Sequence, residues 1–152
     1  MKQAKYRFNR KEGKIYRELA DELFDNGNSM KMIILSASNP VYGKPFPNIP
    51  PQLWVQLTFM DEYSNWSYAL LNDGKTSALS QWLAYRQEIE VNQKLALCDV
   101  ITTLSFELID DERQWFDYNF SGSLGKPGLG DRMRSLIKEK TNHPLILPID
   151  LV

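Results

Sequence analysis

At 152 residues, 43% hydrophobic and a formal net charge of -1, the chain has the size of one ordinary domain able to bury its apolar side chains in one core. A single cysteine, Cys98, rules out an internal disulfide, and with a single histidine, His143, it falls short of the ligand set of a structural zinc site. With no apolar stretch long enough to cross a bilayer and no charged-then-apolar leader at its start, the chain is expected to be soluble and cytoplasmic, with no membrane partner, metal or cofactor.

In chain order, Ala4, Tyr6 and Phe8 alternate with Lys5, Arg7 and Asn9, the period-two pattern of a strand over residues 2–9 with one apolar and one cationic face. Ile15, Leu19, Leu23 and Phe24 recur at helical spacing and Gly27 stands where a C-terminal cap belongs, which predicts a helix over 14–25. The apolar run 31–36 suits a buried strand. It opens a proline-rich loop over 37–51, whose five prolines exclude regular helix.

Leu53, Val55, Leu57 and Phe59 alternate with polar residues or Trp54, and 66–71 follows after a polar connection, predicting an antiparallel hairpin. Asn72-Asp73-Gly74 is a turn signal, and Ser77 is placed to cap a helix reaching about residue 93, with Leu79, Trp82, Leu83 and Ile89 on one side. Residues 95–103 fit helix or strand. From Leu104 the alternation with Phe106 and Leu108, repeated in Phe116, Tyr118 and Phe120 beyond the 110–113 reversal, predicts a second hairpin. A glycine-rich loop over 121–130 then leads to a short helix capped by Asp131, with Met133, Leu136 and Ile137 inward, ended by Pro144; the apolar tail 145–152 is expected to dock. The expected fold is one α+β domain over 1–152: a mostly antiparallel sheet of two hairpins plus the N-terminal strand, with two longer helices and one short C-terminal helix.

Near-neutral net charge conceals a segregation. Residues 1–17 hold seven cations against Glu12, residues 18–125 hold six against fifteen acids, and residues 126–140 hold five against two. Candidate residues for binding a partner or nucleic acid are therefore Lys5, Arg7, Arg10 and Lys11 at one end and Lys126, Arg132 and Arg134 at the other. Tyr6, Phe8 and Tyr16 interleave with the first group, which suits stacking on bases, but alternation also sends Tyr6 and Phe8 to the core and leaves the cations on a solvated face. Trp54, on the polar side of its strand, is a candidate partner anchor or a residue packed beneath the prolines.

No catalytic motif is complete. Gly125-Lys126 is followed by Pro127 where a P-loop needs Ser or Thr, Met133 occupies the third glycine position of a dinucleotide fingerprint begun by Gly128 and Gly130, and Ser123 stands one place early for a nucleophile elbow. The glycine segment reads as an ordinary loop or as one that approaches an anion or RNA backbone. Asp110, Asp111 and Glu112 read as a solvated turn, His143 as a helix-end residue and Cys98 as a small buried hydrophobe.

The order strand, helix, strands, helix, strands, with Gly122, Gly125, Gly128 and Gly130 beside a basic helix, resembles the RNA-binding subunits of CRISPR effector complexes in architecture, although the glycine spacing matches no defined family motif. Three functions remain open. The first is a non-catalytic interaction or assembly subunit of a larger complex, docking through segregated charge and exposed aromatics. The second, which the resemblance implies, is an RNA-contacting accessory subunit of a ribonucleoprotein. The third is a small enzyme or ligand-binding protein whose pocket is built from residues distant in sequence, at the proline segment.

Overall fold

The computed structural model describes residues 3–44, 47–72, 78–110, 112 and 115–140. Among these residues nine strands form one curled sheet: β1 (Gln3–Asn9), β2 (Lys14–Leu19), β3 (Glu22–Asp25), β4 (Ser29–Ala37), β5 (Val41–Gly43), β6 (Gln52–Asp61), β7 (Trp66–Asn72), β8 (Val100–Asp110) and β9 (Trp115–Leu124). The lateral order is β3-β2-β1-β7-β6-β4-β8-β9, with β5 also paired to β6. Every pairing is antiparallel but one: β1 runs parallel to β7, with Gln3 opposite Trp66 and Tyr6 opposite Ala69. Parallel neighbours need a long crossover, and here everything from β2 to β6 lies between them in the chain.

Two α-helices are present among the described residues, α1 (Ala78–Gln87) and α2 (Leu129–Lys140); α1 continues into a π-helical turn over Glu88–Asn92, and a single 3-10 turn, Leu97–Asp99, leads into β8. The expected helix over 14–25 is not formed. Ile15 and Leu19 fit helical spacing, but with Arg17 between them they equally share one face of a strand, and burial of Ile15 in the curl decides for the strand. Ala20 and Asp21 both adopt positive φ, 50° and 65°, making a two-residue turn from β2 to β3 without the usual Asn-Gly signal. The layout of two hairpins, a lone strand, two longer helices and a short one is thus replaced by one mixed nine-stranded sheet with two helices, and the element order behind the resemblance to CRISPR subunits is not the observed one. The proline-rich segment contains β5, and the glycine segment begins inside β9. Residues 95–103 divide between the 3-10 turn and β8. Asp73, Gly74, Ser77, Asp111, His143, Pro144 and the tail 145–152 lie outside the described residues.

Inward-facing residues of the curl make the main core: Tyr6, Ile15, Met32, Ile34, Val55, Leu57, Phe59, Leu71 and Leu104 are all nearly excluded from water. Helix α1 fills one side of it with Leu79, Trp82 and Tyr85, and the π-helical turn adds Ile89; the Tyr85 ring is stacked on Phe120 at 5.5 Å, and Leu83, expected inward, is exposed with Tyr85 in its place. The sheet curls until the start of β9 meets the β1–β2 turn, where the Phe116 N–H donates to the Arg10 carbonyl at 2.9 Å. Helix α2 covers the outer face, placing Leu129, Met133, Leu136 and Ile137 on Met60, Trp66, Cys98 and Ile101. No helix among the described residues is long and apolar enough to cross a membrane.

Candidate functional site

The parallel ladder between β1 and β7 stops at Tyr6 and Ala69, yet β1 continues to Asn9 and β7 to Asn72. Between these diverging ends lies a cavity of about 550 Å³. Outward-facing Lys5 and Arg7 of β1 and Tyr68 and Leu70 of β7 line its rim, while inward-facing Tyr6, Phe8 and Ala69 line it as well, so the opening reaches from the outer surface towards the core. Asn9, Arg10, Lys11 and Asn72 line its far end; Tyr16 and Leu23 approach from β2 and β3, and Ile49 and Trp54 from the side of the proline segment.

Arg10 does not face this cavity as a free cation. Its side chain is buried, Nη2 donating to Asp117 Oδ1 at 3.2 Å, Nη1 to the Asn72 carbonyl at 3.2 Å and Nε to the Phe116 carbonyl at 3.3 Å. The Asn72 bond spans the end of the gap between β1 and β7, where the ladder no longer does. Asp117 is further held by Gln81 Nε2 at 3.0 Å and by the Tyr118 N–H at 2.8 Å. Arg10, expected on a phosphate, is instead committed to the interior.

The other cations divide. Arg7 reaches Glu18 at 3.6 Å, an exposed pairing, and Lys14 pairs with Asp25 at 3.2 Å. The Arg17 guanidinium lies over the Tyr63 ring at 4.0 Å and the Phe24 ring at 4.8 Å. The Lys5 and Lys11 side chains make no ion pair among the described residues. None of the described residues lining the cavity is a carboxylate, imidazole, thiol, serine or threonine. Its titratable side chains are lysine, arginine and tyrosine, a set that binds negative charge and offers no neutral-pH general base. The nearest acids serve the rim: Glu12 accepts from the Tyr16 hydroxyl at 2.8 Å and from Asn9 Nδ2 at 2.9 Å, and Glu18 takes Arg7. Both phenols hold their protons more tightly than a free tyrosine, Tyr16 chiefly through its bond to Glu12 and Tyr68 chiefly through burial, with the Glu18 charge adding to it.

No family model, curated protein or solved structure matches this chain.

Trp54, the expected anchor, is 3% exposed because β5 pairs alongside it and Gly43 accepts its indole N–H at 3.0 Å. It therefore forms part of the cavity wall and does not project from the surface. Lys126, Arg132 and Arg134 are exposed at the α2 end, which packs against β4, the 97–99 turn and, through Met60 and Trp66, the adjoining ends of β6 and β7. Arg134 is bound to Asp131 at 2.9 Å and Cys98 Sγ at 3.5 Å, with Asp99 at 3.7 Å. None of Lys126, Arg132 and Arg134 lines the slot. Burial raises the Cys98 thiol pKa, with the Arg134 charge opposing it. No three His, Cys, Asp or Glu residues gather at metal-binding spacing among the described residues.

The glycine segment has a packing explanation at three positions. A Cβ on Gly122 would lie 2.6 Å from Tyr85 Oη and 2.7 Å from Val100 Cγ1, one on Gly125 would overlap the Leu129 side chain, and one on Gly130 would overlap the Asp99 carboxylate. Sequence reasoning found Lys5 and Arg7 from their alternation, Lys11 from the clustering of charge and Tyr16 from its cationic neighbours, but not Tyr68, Leu70 or Ile49. The β1–β7 pairing that brings Tyr68 and Leu70 beside Lys5 and Arg7 joins residues more than sixty positions apart and leaves no local signal.

Proposed function

We propose that this protein is a non-catalytic interaction subunit that docks an acidic segment of a protein partner in the slot between β1 and β7. The observation that carries this reading is the slot's composition: Lys5, Arg7 and Lys11 beside Tyr16, Tyr68 and Leu70, with no carboxylate among the described lining residues. Such a surface attracts negative charge while offering apolar contact, the combination that gives an interface both steering and affinity. The slot's volume also lies within the range of roughly 300–1,000 Å³ typical of small-molecule sites, which supports a second reading, a site for a small organic anion.

The test is fluorescence anisotropy of the full chain with two labelled probes, an acidic decapeptide of Glu, Asp and Leu and a mixed-sequence single-stranded RNA, each at low and moderate salt. The docking reading expects the peptide to bind, binding to weaken with salt, and Lys5→Glu/Arg7→Glu to abolish it. Tighter binding of RNA than of peptide, or peptide binding indifferent to the charge reversal, would overturn it.

A further inference from the structure

The slot has two chemistries at two depths. Lys5 and Arg7 stand two residues apart on the outer face of β1, so their attachment points are separated by about 7 Å along the strand, and Lys11 follows at the far end. Below them the opening is apolar where Phe8, partly buried on the inner side of β1, lines it, and Leu70 adds apolar surface on the β7 rim. The Phe8 ring already rests edge-on against Tyr118 at 5.9 Å, so this part of the wall is backed by the core. A segment bearing acids alone would satisfy the rim and leave the apolar depth wet.

We infer that the slot takes one large apolar side chain from the partner segment, flanked by acidic residues on either side, in an extended acid–apolar–acid pattern. This rests on the docking reading above. In an extended chain, residues i and i+2 lie on one face with the same spacing of about 7 Å that separates Lys5 from Arg7, and residue i+1 points the opposite way. The two carboxylates meet the raised tips of the cations while the central side chain turns down between the strands. Arg10, held by Asp117 and bonded to the Asn72 carbonyl, closes the end of the gap and sets how far the anchor can travel. Occupation by an acidic segment draws Arg7 away from Glu18, which stands outside the slot.

The experiment compares three labelled octapeptides of equal charge on the full-length protein: one centred on Glu-Leu-Glu, one with that leucine replaced by serine, and one of the first composition with leucine moved to the end. The expected result is a loss of about tenfold or more for the second and third peptides, with Leu70→Glu weakening the first while circular dichroism remains native. If all three bind alike and Lys5→Glu/Arg7→Glu still abolishes binding, the apolar anchor is overturned and acidic docking stands. If none binds, or if RNA binds in their place, both are overturned.

Discussion

The Arg10 guanidinium donates to Asp117 Oδ1 at 3.2 Å across 107 positions of chain, and both side chains are almost wholly buried. The pair joins the end of β1 to β9, and through Gln81 to α1, so it fastens the curl where its two sides meet. Removing one partner leaves the other charge stranded. Arg10→Ala is expected to cost about 3–5 kcal/mol of stability, whereas Arg10→Met with Asp117→Leu recovers a large part of that loss because neither charge then remains buried. Urea unfolding of the three proteins decides; a single-variant cost below about 1 kcal/mol would show the pair to be as weak as a surface bridge.

The turn at Ala20-Asp21 holds both residues at positive φ, a conformation in which Asn and Gly are far more comfortable. Ala20→Asn with Asp21→Gly should raise stability by about 0.5–1 kcal/mol and Tm by about 1–4 °C for a chain of this length. An unchanged or lowered Tm would mean that β2 and β3 are not joined by this turn.

Gly122 allows α1 to approach β8 and β9 so closely that Tyr85 Oη and Thr102 Oγ1 hydrogen-bond at 2.7 Å. Gly122→Ala is expected to destabilise by about 1–3 kcal/mol through overpacking. Adding Tyr85→Phe removes the nearest clashing atom, so the double variant should lose less than the two single losses combined. Strict additivity would place the strain elsewhere.

Burial raises the pKa values of Tyr6 and Tyr118, reinforced at Tyr6 by its bond to Asp61 and opposed at Tyr118 by the Arg10 charge. A folded-state pKa above the unfolded value of 10.0 means that the folded chain holds its proton more tightly. The stability this contributes is fully present below pH 10 and is lost as pH climbs above it. Absorbance at 295 nm should therefore show both phenols titrating only with unfolding, and Tyr6→Phe should flatten the alkaline fall in Tm; early titration of every tyrosine in the native state would contradict the burial.

Strand alternation was legible wherever one face meets the core and the partner is the next strand. Leu53, Val55, Leu57 and Phe59 of β6 face inward and pair with β7 across a four-residue connection, apart from exposed Leu53. It failed at β2 and β3, because Ile15 and Leu19 satisfy both periods and the turn between the strands is made by residues without a turn signature. In the candidate site, the cationic face of β1 was readable from Lys5 and Arg7. That Arg10 would point inward was not, since its partner Asp117 sits in the most acidic part of the chain, with nothing local to single it out.

The sequence by itself determined which faces are apolar, where charge collects and which local strands alternate, because these depend on neighbours two to four residues apart. Only the tertiary structure decided that β1 joins β7 in parallel, that their ends part to leave a slot, and which cations face it. Those features depend on contacts between residues 62 to 107 positions apart, whose formation is governed by how the whole sheet curls around Trp82 and Tyr85.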